Sequence, residues 1–117
     1  MSKRNFEPRC HLIHGDMKLE HAFLDADRVT FIDTESLSLG DPDYDIAKLE
    51  ARLVATFMTG MLSADNLIAA RRILTDYVSS NYAWYQDAAM LQTAKFFAQR
   101  PSTQNVTYCR VLLSGTL

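Results

Sequence analysis

The apolar residues of this 117-residue chain follow two different spacings, and the change falls near residue 45. Residues 11–13 form a short apolar lead-in, and residues 22–24 and 29–32 are two short segments of β type. The four residues 25–28 between those segments have the composition of a hairpin turn. A Gly-Asp-Pro sequence within residues 36–43 indicates a loop. The first third of the chain is therefore predicted to contain a β-hairpin.

From residue 42 onward the apolar residues recur every three to four positions, as on one face of a helix. The first helix is predicted to begin at Pro42 or Asp43 and to end near Gly60. Three more helices are predicted, over 63–79 with Ser63 as N-cap, over 83–99, and over 103–113, where a strand is the alternative. The positions expected to face inward on the first two helices are Ile46, Leu49, Leu53, Val54, Phe57, Met61, Leu67, Ala70, Leu74, Tyr77 and Val78.

These elements predict an α+β fold that is mainly helical. A short β-hairpin platform over residues 11–45 would be followed by a helical bundle over residues 46–117, and together they would form one unit over residues 1–117. The aromatic and methionine side chains on the helical stripes, Trp84 among them, are expected in the core rather than in a cofactor site.

Composition narrows the function classes. Hydrophobic residues make up 48% and charged residues 22%, which is typical of a globular domain. No apolar run is long enough to span a membrane, and no signal peptide is evident, so a cytoplasmic location is expected. The net charge of −2 argues against general nucleic-acid binding. Two isolated cysteines predict neither a disulfide framework nor a zinc site.

The acidic residues are unevenly distributed. Ten of the fourteen lie between Asp16 and Glu50, together with only three basic residues. Most of these acids are expected on solvated loops, but carboxylate oxygens are also the ligands that Mg²⁺ prefers. If Leu24 pairs with Val29 in the hairpin, His21 lies opposite Ile32, and Asp33 returns towards the loop that holds Asp16. Two unrelated loop aspartates are the alternative interpretation.

Three phrases of the sequence occur in a characteristic order. They are His14-Gly15-Asp16, then Ile32-Asp33 with Glu35, then Gly-Asp-Pro-Asp-Tyr-Asp over residues 40–45. This arrangement resembles the catalytic lobe of the aminoglycoside phosphotransferase family of kinase-like enzymes. The resemblance covers residues 11–50 and implies a protein-kinase-like C-terminal lobe. His21 stands where the family usually has an asparagine.

The resemblance implies a role for each matching residue. Asp16 would be the catalytic base for the attacking hydroxyl, and Lys18 would neutralise charge on the transferred phosphoryl group. Asp33 would bind the Mg²⁺ that holds the phosphates of ATP, with His21 and Glu35 as further candidate ligands for the metal and the nucleotide. His14, Asp45 and the Gly-Asp-Pro turn would be structural, with Asp45 bracing the catalytic loop.

The resemblance also implies parts that this sequence does not contain. Thirteen residues precede His14, and none of the four glycines forms a phosphate-gripping loop, so the N-terminal lobe is expected to be absent. The chain would then be a truncated enzyme, weakly active or inactive alone, that needs a protein bearing that lobe or self-associates. The acceptor would be a small molecule with a hydroxyl, such as an aminoglycoside, a sugar or an amino alcohol. The alternative function is a non-catalytic remnant or interaction module of the same fold.

Overall fold

The computed structural model of the chain describes residues 9–18 and 22–114, with the backbone alone for Phe23 and Leu24. Its elements are β1 (His11–Ile13), β2 (Ala22–Asp25), β3 (Arg28–Phe31), a 3₁₀ turn (Thr34–Ser36), β4 (Ser38–Gly40), α1 (Pro42–Met58), α2 (Ala64–Thr75), α3 (Tyr82–Ala98) and α4 (Thr103–Ser114). The predicted α+β, mainly helical fold with the hairpin ahead of the helices is confirmed.

The strands form two separate antiparallel pairs. β2 pairs with β3 in the predicted register, with Leu24 opposite Val29 and Ala22 opposite Phe31. The turn is shorter than predicted: Asp25 and Arg28 lie opposite each other as the last residues of the two strands and leave only two residues between them. The first of those two, Ala26, has a positive φ of 54°.

The second pair, β1 with β4, corrects the predicted loop over residues 36–43. Residues 38–40 form a strand with Leu39 opposite Leu12 and Gly40 opposite His11. A three-residue strand is too short to show the alternation by which strands are recognised in a sequence. Gly40 suits this position because a Cβ atom there would lie 2.7 Å from Ile13 Cδ1. The pair places the catalytic-loop sequence directly after β1 and the start of α1 directly after β4.

The first two helices begin at the predicted residues, α1 at Pro42 and α2 directly after Ser63. Asp41 precedes α1, and its side chain accepts a hydrogen bond from the backbone N–H of Asp43 at 3.0 Å. Ser63 caps α2 by accepting from the backbone N–H of Asn66 at 3.2 Å. The fourth segment is a helix rather than the alternative strand.

The core lies mainly between α1 and α3. Small side chains, Ala47 and Ala51 on α1 and Ala89 on α3, form one buried cluster that lets the two helices approach closely. A second cluster extends the core to α2 and α4; its buried members are Val54, Ala55, Leu67, Ala94, Phe97 and Leu112. None of the described helices is long and apolar enough to cross a membrane.

Three large side chains predicted to lie inside are at the surface. Met61 is 79% exposed because α1 ends at Met58, and Tyr77 is 68% exposed because α2 ends at Thr75, well before the predicted end at residue 79. Trp84 is 40% exposed and packs edge-on against Tyr85, with 5.1 Å between ring centroids. Helical periodicity does not reveal where a helix ends, so residues beyond the end of α1 and of α2 were wrongly predicted to face inward.

Candidate active site

The loop after β1 carries His14, Gly15 and Asp16, and the first turn of α1 holds it in place. The backbone N–H groups of His14 and Gly15 donate to the two carboxylate oxygens of Asp45, at 2.7 and 2.9 Å. Hydrogen bonds to an ionised acceptor are stronger than neutral ones. The prediction that Asp45 braces this loop is therefore confirmed.

The imidazole of His14 connects the loop to the segment that precedes Asp33. Its Nδ1 accepts from the backbone N–H of Asp16 at 3.2 Å, and its Nε2 lies 2.9 Å from the carbonyl oxygen of Ile32. A neutral ring with the proton on Nε2 satisfies both bonds, since Nδ1 must then be the acceptor. The ring is 7% exposed and meets Phe31 edge-on. The backbones of Asp16 and Ile32 are thus bound to opposite sides of one buried ring.

Gly15 provides a second link between the same two segments. Its φ is +87°, and a Cβ atom built on it would lie 2.2 Å from the carbonyl oxygen of Ser36. A side chain at this position would clash with the backbone of the 3₁₀ turn. It would also be strained by the positive φ, which residues other than glycine rarely adopt. Only glycine lets the loop lie so close to the residues that follow Asp33.

Asp16 and Lys18 form an ion pair at the exposed edge of the loop. Lys18 Nζ lies 3.5 Å from Asp16 Oδ2, and the two side chains are 37% and 31% exposed. An exposed pair of this kind contributes little to stability. It does leave a carboxylate within reach of solvent and places a positive charge beside it.

Asp33 follows β3 with its backbone in the left-handed region, at φ 58° and ψ 64°. Aspartate is one of the few non-glycine residues that adopt this conformation with any frequency. The chain turns here into the 3₁₀ turn, whose first turn contains the exposed Glu35. Asp33 directly follows Ile32, whose carbonyl is hydrogen-bonded to His14, and Glu35 directly precedes Ser36, which lies against Gly15. Both acidic residues are therefore next to backbone that contacts the loop of Asp16.

The predicted metal ligands were Asp33, His21 and Glu35. His21 lies outside the described residues. Within residues 9–18 and 22–114, no group of three or more His, Cys, Asp or Glu side chains is placed to hold a metal ion. Mg²⁺ commonly takes one or two protein carboxylates and completes its shell with water and nucleotide phosphates. The carboxylate chemistry of Asp33 fits that use, and the metal site stays a prediction.

Two of the acids that suggested a cation site instead bind internal partners. Asp43 is fully buried; it accepts from Arg9 Nη2 at 2.7 Å and from the backbone N–H and the hydroxyl of Ser79. Asp41 is 3% exposed and accepts from the backbone N–H of Arg9 at 3.0 Å. This network ties the residues before β1 to the start of α1 and to the segment before α3, and thereby supports Asp45.

A third buried acid, Glu50 on α1, has its partners on α2 and α3. The hydroxyl of Tyr82 donates to Glu50 Oε2 at 2.9 Å, Gln86 Nε2 donates to both oxygens, and Arg71 Nη2 lies 3.5 Å from Oε1. Burial, and then the negative charge of Glu50 and this hydrogen bond, raise the pKa of the Tyr82 phenol. Nothing in the sequence pairs these residues, since they are more than 20 positions apart.

Because of Tyr82, the free energy of unfolding is expected to fall as the pH becomes alkaline. A phenol with a raised pKa keeps its proton in the folded chain after the unfolded chain has lost it, so this contribution is complete below about pH 10 and declines above it. We expect Tyr82→Phe to lose less stability than the wild type between about pH 8 and about pH 10.5. Denaturant unfolding at the two pH values measures this, and an equal loss in both proteins would contradict it.

The site thus consists of a His-Gly-Asp loop that α1 braces and a hairpin whose Ile32 carbonyl is hydrogen-bonded to His14 of that loop. A comparison of the sequence with protein-family models identifies the family. The model of the phosphotransferase enzyme family, APH, matches residues 4–84, which is more than half of the chain. The chain therefore belongs to this family. Among curated proteins and among solved structures, no match was found.

Proposed function

We propose that the chain is the catalytic lobe of an ATP-dependent phosphotransferase that phosphorylates a hydroxyl group of a small molecule. The observation that carries the proposal is the pair of links from the Asp16 loop to the Asp33 segment, through His14 and Gly15. Phosphoryl transfer depends mainly on positioning and on neutralising charge. Two segments fixed against each other by a buried ring and a glycine are suited to that task.

Asp16 acts as the general base in this proposal. Its carboxylate takes the proton of the acceptor hydroxyl while the hydroxyl oxygen forms a bond to the γ-phosphorus and the bond from that phosphorus to the leaving oxygen of ADP breaks. Lys18, whose ammonium already lies 3.5 Å from this carboxylate, stabilises the negative charge on the transferred group. Both side chains are accessible enough for an acceptor to reach them.

Asp33 would hold Mg²⁺, with Glu35 as a further oxygen donor close to it in the chain. The metal would neutralise charge on the phosphates of the nucleotide. Hydrogen bonds to Asp45 and His14 hold the loop in one conformation, which would reduce the reorganisation needed in the reaction. The 117 residues contain no glycine-rich phosphate loop, so a lobe that covers the phosphates would come from outside them.

One observation favours the alternative of an interaction module. Leu12 and Leu39 lie directly opposite each other across β1 and β4 and are 67% and 73% exposed. Phe31, Ile32 and Leu37 are also at least 44% exposed. Exposed apolar residues of this kind are what proteins use for association when they form a continuous surface. An interaction module would need neither Mg²⁺ nor ATP, whereas a phosphotransferase needs both. Binding of Mg²⁺ and ATP therefore distinguishes the two functions.

Replacing Asp33 tests the proposed function. We expect Asp33→Ala to weaken binding of ATP in the presence of Mg²⁺ by about tenfold or more, because a charge-assisted contact is lost. Calorimetric titration measures the affinity, with the chain alone and with an added phosphate-gripping lobe. The matched control is Asp27→Ala, in the exposed turn of the same hairpin. Equal affinity in all three proteins, with or without Mg²⁺, would favour the interaction module.

A further inference from the structure

A second feature of the site is a cavity of about 250 Å³ on the α1 side of the catalytic loop. It is lined by Met17 and Lys18 from the loop, by Lys48 and Arg52 from α1, and by Thr93 and Phe96 from α3. Lys18 belongs both to this cavity and to the ion pair with Asp16. The cavity therefore borders the carboxylate that takes the proton in the proposed reaction.

The charged residues that line this cavity are all basic. Three of its lining side chains are cationic, and none of the lining residues, all within the described part of the chain, is acidic. Lys48 and Arg52 are one helical turn apart on α1, so their side chains lie on the same helix face. Like charges at this spacing repel each other and destabilise the helix slightly. An anion between them would offset that repulsion.

Three acids of the described residues near this cavity have partners of their own. Glu50, also on α1, directs its carboxylate to Tyr82 and Gln86, and Asp45 binds the backbone of the loop. Asp16 pairs with Lys18 at the edge of the cavity. At the opposite end, the guanidinium of Arg100 lies 4.1 Å from the ring centroid of Phe96, which adds a fourth positive charge near this wall.

We propose that the acceptor alcohol carries an anionic group, a carboxylate or a phosphate, which this cavity binds through Lys48 and Arg52. The inference rests on the proposed function, because it assigns the acceptor of that reaction. The guanidinium of Arg52 provides paired N–H donors that match such a group, and Lys48 provides a second charge. Lys48 Nζ now donates to Gln92 Oε1 at 3.3 Å across the exposed surface, a contact that an anion would outcompete.

The size and position of the cavity restrict the acceptor further. A volume of about 250 Å³ is below that of sites for drug-sized ligands, so the acceptor is small. Its anionic group would lie against α1 and its hydroxyl near Asp16, at the other side of Lys18. A cationic acceptor such as an aminoglycoside or choline would meet three like charges here, which costs binding energy.

Three probes of similar size test the charge of the acceptor: glycerate, which is anionic, glycerol, which is neutral, and choline, which is cationic. Binding to the full chain without nucleotide is followed by NMR at low ionic strength, where charge contributions are largest. We expect glycerate alone to shift the signals of α1, and to bind about tenfold or more weakly in Lys48→Gln/Arg52→Gln. Choline or glycerol binding as tightly as glycerate would overturn the proposal.

Control variants separate this proposal from its alternatives. Lys95→Gln, an exposed α3 lysine outside the cavity, is expected to bind glycerate like the wild type. Glycerate binding that persists unchanged in Lys48→Gln/Arg52→Gln, in a protein with the wild-type circular dichroism spectrum, would overturn the assignment of this cavity. A fall in Mg²⁺–ATP affinity as large as the fall in glycerate affinity would also overturn it, since the anion would then be a nucleotide phosphate.

The two proposals fail in different experiments. Glycerate binding needs neither ATP nor the proton transfer, so Asp16→Asn is expected to retain it. If glycerate binds through α1 but ADP is not released even with an added phosphate-gripping lobe, the proposed phosphotransferase function fails and the cavity assignment stands. If ADP is released with glycerol but not with glycerate as acceptor, the function stands and the anionic acceptor is wrong.

Discussion

Asp43→Ala is expected to lower the free energy of unfolding by about 3 kcal/mol, at the lower end of the range for a broken buried ion pair. Asp43 has no exposed side-chain surface, whereas the Arg9 side chain is 38% exposed and would recover part of its hydration after the substitution. The backbone and hydroxyl of Ser79 would also lose their acceptor. Domains of this size have total stabilities of only about 5–15 kcal/mol, so the loss is a large fraction.

Chemical denaturation of three proteins measures this effect. Asp87→Ala removes an exposed acid from the surface of α3 and is expected to change stability by less than about 0.5 kcal/mol. A loss for Asp43→Ala no larger than that of Asp87→Ala would show that the Arg9 and Ser79 contacts do not stabilise the fold. Because this network supports the start of α1, the variant is also expected to loosen the hold of Asp45 on the loop.

Asp16→Asn is expected to reduce the turnover number for phosphoryl transfer by about 10²–10⁴-fold, the usual contribution of a general base. The amide has nearly the same shape as the carboxylate but cannot accept a proton from the acceptor. The backbone N–H of residue 16 would still donate to His14, so the loop should keep its conformation. Affinity for Mg²⁺–ATP is therefore expected to stay close to that of the wild type.

Release of ADP in the presence of Mg²⁺ and an alcohol measures the turnover, with and without an added phosphate-gripping lobe. Asp27→Asn, in the exposed turn between β2 and β3, makes the same chemical change away from the site and is expected to leave the rate unchanged. Equal rates in the wild type and in Asp16→Asn would remove Asp16 from the reaction. A parallel loss of nucleotide affinity would instead indicate a structural role.

Local patterns predicted most of the elements. The β2–β3 register follows from a short turn between two apolar segments, and the starts of α1 at Pro42 and of α2 after its cap Ser63 are as predicted. The bracing role of Asp45 came from the ordered motifs, and the hydrogen bonds to His14 and Gly15 confirm it. These features depend on residues that are close in sequence or belong to one motif.

Features that depend on distant partners were not predictable in the same way. The cluster of acids suggested a cation site, but Asp41, Asp43 and Glu50 are buried among internal partners. Those partners, Arg9, Ser79, Tyr82, Gln86 and Arg71, lie more than 20 positions away and carry no motif. The basic cavity beside Lys18 was equally hidden, because α1 and α3 contribute to it from separate parts of the chain.

In the proposed function, the Asp16 loop and the Asp33 segment face one divalent cation. Mn²⁺ has oxygen-ligand preferences similar to those of Mg²⁺, and its unpaired electrons broaden the NMR signals of nearby amides. With ATP present, we expect trace Mn²⁺ to broaden the amide signals of residues 15–16 and 33–35 together, and Asp33→Ala to abolish this broadening. Broadening confined to other acids, such as Asp65 and Asp87, with the signals of residues 15–16 unchanged, would contradict the claim.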